Sequence, residues 1–569
     1  MEGGMMECEL PLPPGLRGDI DKLGLAAERF KSGLLSAEEF RRARVPMGVY
    51  EQRTDGTYML RVRLPGGALA AKHMRAIAAA AERFGSGAAH ATTRQDMQIH
   101  CVIAENIAPA LRALLEGCLS TKGGCGDTVR NITACCLSGV CPKECFDLGP
   151  HCRNLTQALL GDGQSYELPR KFKIAFSGCS EDCAGACVND VGLIAKTRDG
   201  VEGFAVCAGG GMGARSRIAE MLEEFVPADG IYRVVRAVRA VFHARGNREN
   251  RKEARLRFLV DKIGFGKFAS LYKSELAAAE NAAPCPGTER RREIGCSDSV
   301  VPAGCKTPSD FRTWRACATE PQKQPGYRMA HISLPLGDIG AEALRGLAGA
   351  IEAFPGVEAR VTPQQNLVLL WIPERETAGL YAALDGIGLA GSVLPLLRNM
   401  VSCAGASTCR MGVCASRGLA RAMYDHLKGD APGLSGNCDL QIGISGCPNA
   451  CGRHLIADIG FSGGVRTIDG RKVPHYRLLL GGRQGEGRTA FALPSGMVPA
   501  RNVPALTAEL LSAFSASASY PDFDSFLANG GMDIASALCE RYQGLPSYEA
   551  EPMMYEDFDA PGIGAPNKQ

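Results

Sequence analysis

Two short clips, "RNMVSCAGASTCRMG" and "IGISGCPNACGRH", hold four cysteines in close pairs. Cys403 and Cys409 are spaced C-x5-C, and Cys447 and Cys451 C-x3-C, with 37 residues between the pairs. Four thiolates suit zinc or an iron–sulfur cluster. Zinc ribbons use tighter knuckles in small domains, whereas a helix-like "ASRGLARAMYDHL" lies between these clips. The spacing favours a cluster held between loops, with zinc and buried structural cysteines as the alternatives. The same arrangement occurs 268 residues earlier, at Cys135, Cys141, Cys179 and Cys183, amid Cys136, Cys145, Cys152 and Cys187.

The chain has 24 cysteines in 569 residues. A chain of this length holds about three to five units. Its net charge of +3 excludes a polyanion-binding surface over the whole chain, and no basic patch reads as a nucleic-acid footprint. The start, "MEGGMMECELPLPPGLRGD", lacks a signal pattern, and no apolar run reaches the ~18 residues of a membrane span. The expected location is the cytoplasm, where paired cysteines point to metal or redox chemistry rather than disulfides.

The elements around the clips repeat. "YMLRVRLP" reads as a strand, "ALAAKHMRAIAAAAERFG" as a helix, "DMQIHCVI" as a strand and "NIAPALRALLEG" as a helix. "YRMAHISLPLG", "AEALRGLAGAIEAF", "QNLVLLWI" and "ETAGLYAALDGIG" follow in the same order. Leu64-Pro65 and Leu334-Pro335, and Thr92 and Thr362, are offset by 270; from Arg130-Asn131 and Arg398-Asn399 through Asp190 and Asp458 the offset is 268. One register held over about sixty residues marks a duplication. The segment "NAAPCPGTERRREIGCSDSVVPAGCKTPSDFRTWRACATEPQKQPG", rich in Pro, Gly and charge, reads as a linker; its cysteines Cys285, Cys296, Cys305 and Cys317 have no ligand spacing. The acidic tail after Tyr542 reads as an extended arm.

"SCAGASTCRMGVCASRGLA", "GCPNACGRHLIADIGFSGG" and "YRLLLGG" resemble the siroheme-binding half of the sulfite and nitrite reductase hemoprotein family. "YMLRVRLPGG", "TTRQDMQIH", "VRNITACC", "ELPRKFKI", "GFAVCAGGG", "GNRENRKEARLRFLVDKIGFGKF" and "QKQPGY" extend the resemblance over residues 30–545. It implies an α+β fold with pseudo-two-fold halves, each pairing a ferredoxin-like half-domain with a siroheme and iron–sulfur α/β domain. The expected division is an extension (1–45), ferredoxin-like unit (46–117), cofactor-type domain (118–280), linker (281–325), second ferredoxin-like unit (326–393), second cofactor-type domain (394–545) and tail (546–569).

By this resemblance Cys403, Cys409, Cys447 and Cys451 ligate a [4Fe–4S] cluster, and Cys451 is also the axial thiolate of siroheme iron. Arg94 of "TTRQ" is expected to pair with siroheme carboxylates, with Gln98, Asn131, Gln365 and Asn366 nearby. His90 stands where some relatives carry a further arginine. Arg61, Arg130, Lys171 and Lys173 are expected to bind and protonate a small oxyanion. Their half-two counterparts are His331, Arg398, Asp439 and Gln441, and Arg94 is matched by Gln364, so one productive site is expected, with half-one cations facing the half-two cofactors. Cys135, Cys141, Cys179 and Cys183 are expected to hold a second cluster, with or without siroheme, and a remnant or buried cysteine set is the alternative. "RKFK" follows the Lys-x-Lys pattern and favours six-electron reduction of sulfite to sulfide; nitrite reduction to ammonia is the alternative, supported by the nitrite-type look of "CPKECFDLGPHCRNLTQALLG". A non-catalytic electron-transfer or siroheme-carrier protein is the reading from another class. "AGGGMGAR" falls in a cofactor-loop position rather than a dinucleotide fold. Electrons are expected from ferredoxin or a separate reductase subunit.

Overall fold

The computed structural model describes residues 10–278, 309–391, 393–429, 439–517 and 520–558. Among these residues four five-stranded sheets form two related pairs. In the first ferredoxin-like sheet the antiparallel order is Val49–Glu51, Thr57–Val62, Met97–Ile103, Ala88–Ala91 and, from the other half, Asp338–Gly340. The second runs Thr319–Pro321, Tyr327–Ile332, Leu367–Pro373, Glu358–Val361 and, from the first half, Ala68–Leu69. Each half thus lends one short strand to the other's sheet edge, which covers backbone groups that would otherwise be unpaired.

The alternation of apolar residues in these strands buries one face against the amphipathic helices Ala71–Phe84 and Ala341–Glu352, which pack on each other. A single core runs through both units, from Leu60 and Ile77 to Leu344 and Leu369. Two exposed ion pairs follow the same two-fold: Arg75 with Glu352, and Arg345 with Glu82 at 2.7 Å. Exposed pairs of this kind are screened by water and contribute little, so the shared core carries the association.

The two α/β domains have separate cores and identical topology. In the first, Thr133–Ala134, Ile174–Ser177 and Val191–Arg198 are parallel, and Val201–Ala208 and Glu220–Pro227 complete the sheet antiparallel. In the second, Met400–Ser402, Ile442–Ser445 and Ile459–Ile468 are parallel, followed by Arg471–Leu480 and Leu493–Pro499. The cysteine clips lie in the loops at the ends of the parallel strands, where α/β sheets place ligand sites.

Three segments carry structure that the expected division does not describe. The N-terminal extension contains helices Leu16–Lys31 and Ala37–Arg44, the second started by a Ser36/Glu39 capping box, and both bury residues in the shared core. The linker end is ordered. Ser309–Ala318 is a helix whose Trp314 is buried against Phe311 and Tyr381, and Thr319–Pro321 is an edge strand, because the apolar side chains outweigh the local charge. The linker cysteines Cys285, Cys296 and Cys305 lie outside the described residues. The tail up to residue 558 is docked rather than extended: the Asp557 carboxylate accepts from Ala415 N–H at 2.8 Å.

Candidate functional site

Lys171 and Lys173 flank Phe172 just before the strand Ile174–Ser177. The two-residue period of an extended chain sends Phe172 into the core, stacked on Phe242, and both lysines to the other side. The N–H of Lys173 donates to Asp190, which is fully buried and accepts two bonds from Arg255, at 2.8 and 3.2 Å. Lys173 is therefore positioned through its backbone, and among the described residues no carboxylate pairs with either ammonium. Burial, then Arg255, pulls Lys171 down to about 7. Burial, then Arg94 and Lys171, pulls Lys173 well below the ordinary lysine range.

Arg61, from the strand Thr57–Val62, lies 3.5 Å from Asp96. Arg130 is held by the carbonyls of Gly124 (2.7 Å) and Gly126 (2.9 Å), and Arg94 by Asn189 Oδ1 (2.9 Å) and Asn131 O (2.6 Å). Burial lowers Arg94 to about 10. Arg257 joins this cluster, lowered to about 10 by burial and by Arg255, with Nε and Nη1 unpartnered among the described residues. The Nε atoms of Arg61 and Arg94 are likewise buried without a partner. This is a surplus of buried positive charge with orphaned donors, which a polycarboxylate would satisfy. Arg255, Arg257 and Cys125, whose thiol faces Arg61, were not singled out from the sequence; the basic run "RKEARLRF" carried the signal for the first two.

The cations reach across the halves. Arg61, Lys171 and Lys173 of half one all lie within electrostatic reach of the half-two Cys451 thiol. Thr93 of half one donates its hydroxyl to Cys451 O at 3.2 Å, and Arg53 donates from Nη2 to Gly412 O at 2.6 Å. The C-x5-C loop is tight enough that a Cβ on Gly412 would stand 2.4 Å from the Gly405 carbonyl carbon. Cys403, Cys409 and Cys447 each sense Cys451, and burial raises all three thiols, Cys403 to about 12. Bound iron supplies the positive charge that lets such thiols ionise. Among the described residues no three His, Cys, Asp or Glu side chains close on a point that would hold a single metal ion. A cubane holds each thiolate on a different iron and asks for a wider set.

The amides take mainly architectural positions. Gln365 Nε2 donates to Ala91 O and faces His90 Nε2, each at 3.1 Å, while its Oε1 accepts from Ser402 N–H at 2.9 Å. Gln95 mirrors it, donating to Val361 O and accepting from Ala134 N–H. Asn366 bonds Leu334 N–H, Gln364 O and Arg398 O, and Gln98 Oε1 faces His100 Nε2 at 3.0 Å. Asn131 donates to Leu64 O and Arg94 O but leaves its buried Oδ1 without a partner among the described residues. His90, bonded to Asp338 at 2.9 Å, is part of this stitching.

Two family models match this arrangement in duplicate. The nitrite and sulphite reductase 4Fe-4S domain covers residues 125–279 and 395–523, and the nitrite/sulfite reductase ferredoxin-like half domain covers 50–117 and 320–387. The ferredoxin–nitrite reductase of Synechococcus elongatus is 32% identical over 76% of this chain and 81% of its own length. The chain belongs to the nitrite and sulfite reductase family. Family membership makes it an oxidoreductase. The assimilatory ferredoxin-dependent nitrite reductase of Haloferax mediterranei is 30% identical over 87% of this chain and 86% of its own length, and a Mycobacterium tuberculosis sulfite reductase [ferredoxin] 29% over 75% and 74%. The solved Mycobacterium tuberculosis NirA protein shares the fold, with a TM-score of 0.75 over 92% of this chain and 97% of that one at 24% identity. No helix among the described residues is long and apolar enough to cross a membrane.

Proposed function

We propose that the chain reduces nitrite to ammonium with electrons from a soluble ferredoxin-type donor, at one site between the halves. The supporting observation is the convergence of half-one Arg61, Lys171 and Lys173 on half-two Cys451. Cys403, Cys409, Cys447 and Cys451 would hold a [4Fe–4S] cluster, with Cys451 also facing siroheme iron. Arg94, Arg255, Arg257 and Asn131 would meet the tetrapyrrole's carboxyl edge; Gln98, Gln365 and Asn366 set the frame behind it. When bound, siroheme and cluster supply an open metal face and a store of single electrons.

The chain's own residues do the rest. Arg61 fixes the anion, Arg130 adds positive field from behind Lys171, and the Nζ atoms of Lys171 and Lys173 bring protons to its oxygens, which leave as water: NO2⁻ + 8 H⁺ + 6 e⁻ → NH4⁺ + 2 H2O. Lys171, with its proton affinity lowered to about 7, suits repeated donation and recharging near neutral pH. Nitrite takes precedence over the sulfite expected from "RKFK" because the Synechococcus and Haloferax relatives, at 32% and 30% identity, are nitrite reductases. Sulfite is the second reading, favoured by Lys173 and by the 29% identical sulfite reductase. Free-thiol sites of this kind suit the reducing cytoplasm.

The experiment is turnover of the anaerobically purified protein with reduced ferredoxin or reduced methyl viologen, counting ammonium and sulfide. Nitrite with the higher kcat/KM and one ammonium per six electrons is the expected result. A higher kcat/KM for sulfite favours the second reading, and no turnover of either anion by siroheme-loaded protein returns the carrier reading.

A further inference from the structure

The function above uses only half of the cysteine frame. Cys135, Cys141, Cys179 and Cys183 are free thiols in loops that share three backbone bonds with the half-two cradle. Cys135 N–H donates to Phe176 O at 3.0 Å, as Cys403 N–H does to Ile444 O at 3.0 Å. Cys141 N–H donates to Leu137 O at 2.9 Å, as Cys409 N–H does to Gly405 O at 3.0 Å. Cys145 N–H donates to Gly178 O at 2.9 Å, as Val413 N–H does to Gly446 O at 3.0 Å. The C-x3-C turns match in backbone, with φ of 51° at Asp182 and 54° at Ala450, then 70° at Gly185 and 61° at Arg453. A cradle with no ligand to hold has no reason to retain both the four thiols and these left-handed residues. The four thiols also lie within electrostatic reach of one another: Cys135 senses Cys183 and Cys141, and Cys183 senses Cys179 and Cys141.

Half two supplies the charge around this cradle. Arg360 donates to Cys136 O and Ser138 O, at 3.3 and 2.5 Å. Arg453, buried and bonded to Gln484 Oε1 at 2.8 Å, lies within electrostatic reach of Cys183, Cys136 and Asp182. A Cβ on Gly185 would stand 2.9 Å from Gln484 Oε1, so the glycine leaves room for the amide that holds Arg453. A cluster ligated by four thiolates is anionic, and two buried guanidiniums offset that charge. The half-two counterparts of Arg61, Lys171 and Lys173 are His331, Asp439 and Gln441, with Asp439 bonded to Asn399 at 2.7 Å. That surface keeps Arg398 but lacks the two lysines and the second arginine that would bind an anionic tetrapyrrole or an oxyanion.

We propose that Cys135, Cys141, Cys179 and Cys183 hold a second [4Fe–4S] cluster without haem, and that it relays electrons to the Cys451 centre across Arg453. Arg453 stands two residues after Cys451 in the chain and lies within electrostatic reach of Cys183, so one short segment runs between the two cysteine sets. The step is a one-electron exchange: the cluster takes one electron from the reduced ferredoxin-type donor and passes it on, with no bond made and no proton moved. The cluster is independent of the proposed function; only the relay rests on it.

The test uses the full chain purified without oxygen. Wild type is expected to contain about eight non-haem irons and as many sulfides, from two four-cysteine sites. Cys179→Ser is expected to lose half of both while keeping the siroheme absorption bands, whereas Cys409→Ser loses the other half together with siroheme. About four non-haem irons in folded wild type, or zinc in place of iron at the first-half cysteines, overturns the cluster whatever the variants do. For the relay, Arg453→Gln is expected to lower the potential of the first-half signal in a redox titration followed by electron paramagnetic resonance. A tenfold shift in the one-electron equilibrium corresponds to about 59 mV. Unchanged potentials, together with unchanged electron delivery to siroheme in stopped flow, overturn the role of Arg453. These readouts do not depend on which anion is turned over, so the inference and the proposed substrate fail separately.

Discussion

Lys173→Asn separates the two substrates. The Nζ of Lys173 lies among Lys171, Arg94 and Arg255; a bound polycarboxylate and the anionic substrate favour its ammonium form, so its removal takes up to one unit of charge from the loaded pocket. At about 6 Å and an effective dielectric near 20, one unit of charge acting on one more unit is worth about 3 kcal/mol. Sulfite as the dianion carries one charge more than nitrite, so it loses that additional amount. Part returns, because Lys171 no longer has Lys173 beside it and holds its proton more firmly. If about half returns, ~1.4 kcal/mol remains, a tenfold change in relative kcat/KM. Both anions also lose a proton donor, typically about a hundred-fold or more. The assay measures kcat/KM for nitrite and sulfite with reduced methyl viologen at pH 8, wild type against variant. Nitrite turnover is expected to fall, and sulfite turnover to fall about tenfold further. An unchanged ratio refutes the placement of Lys173 beside the oxyanion.

Cys409→Ser is expected to remove the half-two cluster and, with it, most bound siroheme, measured as iron, sulfide and Soret absorbance per chain; full content of all three contradicts the ligand set. In the chain freed of its prosthetic groups, a bound polycarboxylate favours the ammonium of Lys171 and raises its proton affinity from about 7 toward the ordinary lysine value. Siroheme binding is therefore expected to take up protons between about pH 7 and 10, and to weaken as pH rises through that window; calorimetry in buffers of different ionisation enthalpy reads the uptake, and proton release contradicts it. Gln365→Leu leaves Ser402 N–H and Ala91 O buried without partners and is expected to cost about 2–4 kcal/mol of stability in denaturant titration. A loss below about 0.5 kcal/mol would show that water replaces the amide.

The duplication is legible because each clip needs cysteines at fixed spacing, and each ferredoxin-like unit needs the same strand and helix order. The fold follows from that register. The exchanged strands Ala68–Leu69 and Asp338–Gly340 are too short to carry a period, so the sequence shows no sign that the halves interlock. Gln95 and Gln365 look alike as polar loop residues, and only the structure shows each reaching into the other half. Trp314 was hidden inside a charged, Pro-rich stretch, where composition outweighed one aromatic side chain. The helix Ala37–Arg44 did carry a readable start, the "SAEE" capping box. Arg255 and Arg257 sit far from any cysteine in sequence, and it is the backbone path around Asp190 that brings them to the lysines.

The central claim is one site in which half-one cations serve half-two cofactors. A crystal structure of the holoenzyme with nitrite, phased by iron anomalous scattering, tests it most directly. The account predicts siroheme iron coordinated by Cys451, with the anion on its open face within hydrogen-bond distance of Arg61, Lys171 or Lys173. Siroheme bound beside Cys183, or an anion whose protein contacts come from half two alone, would contradict it.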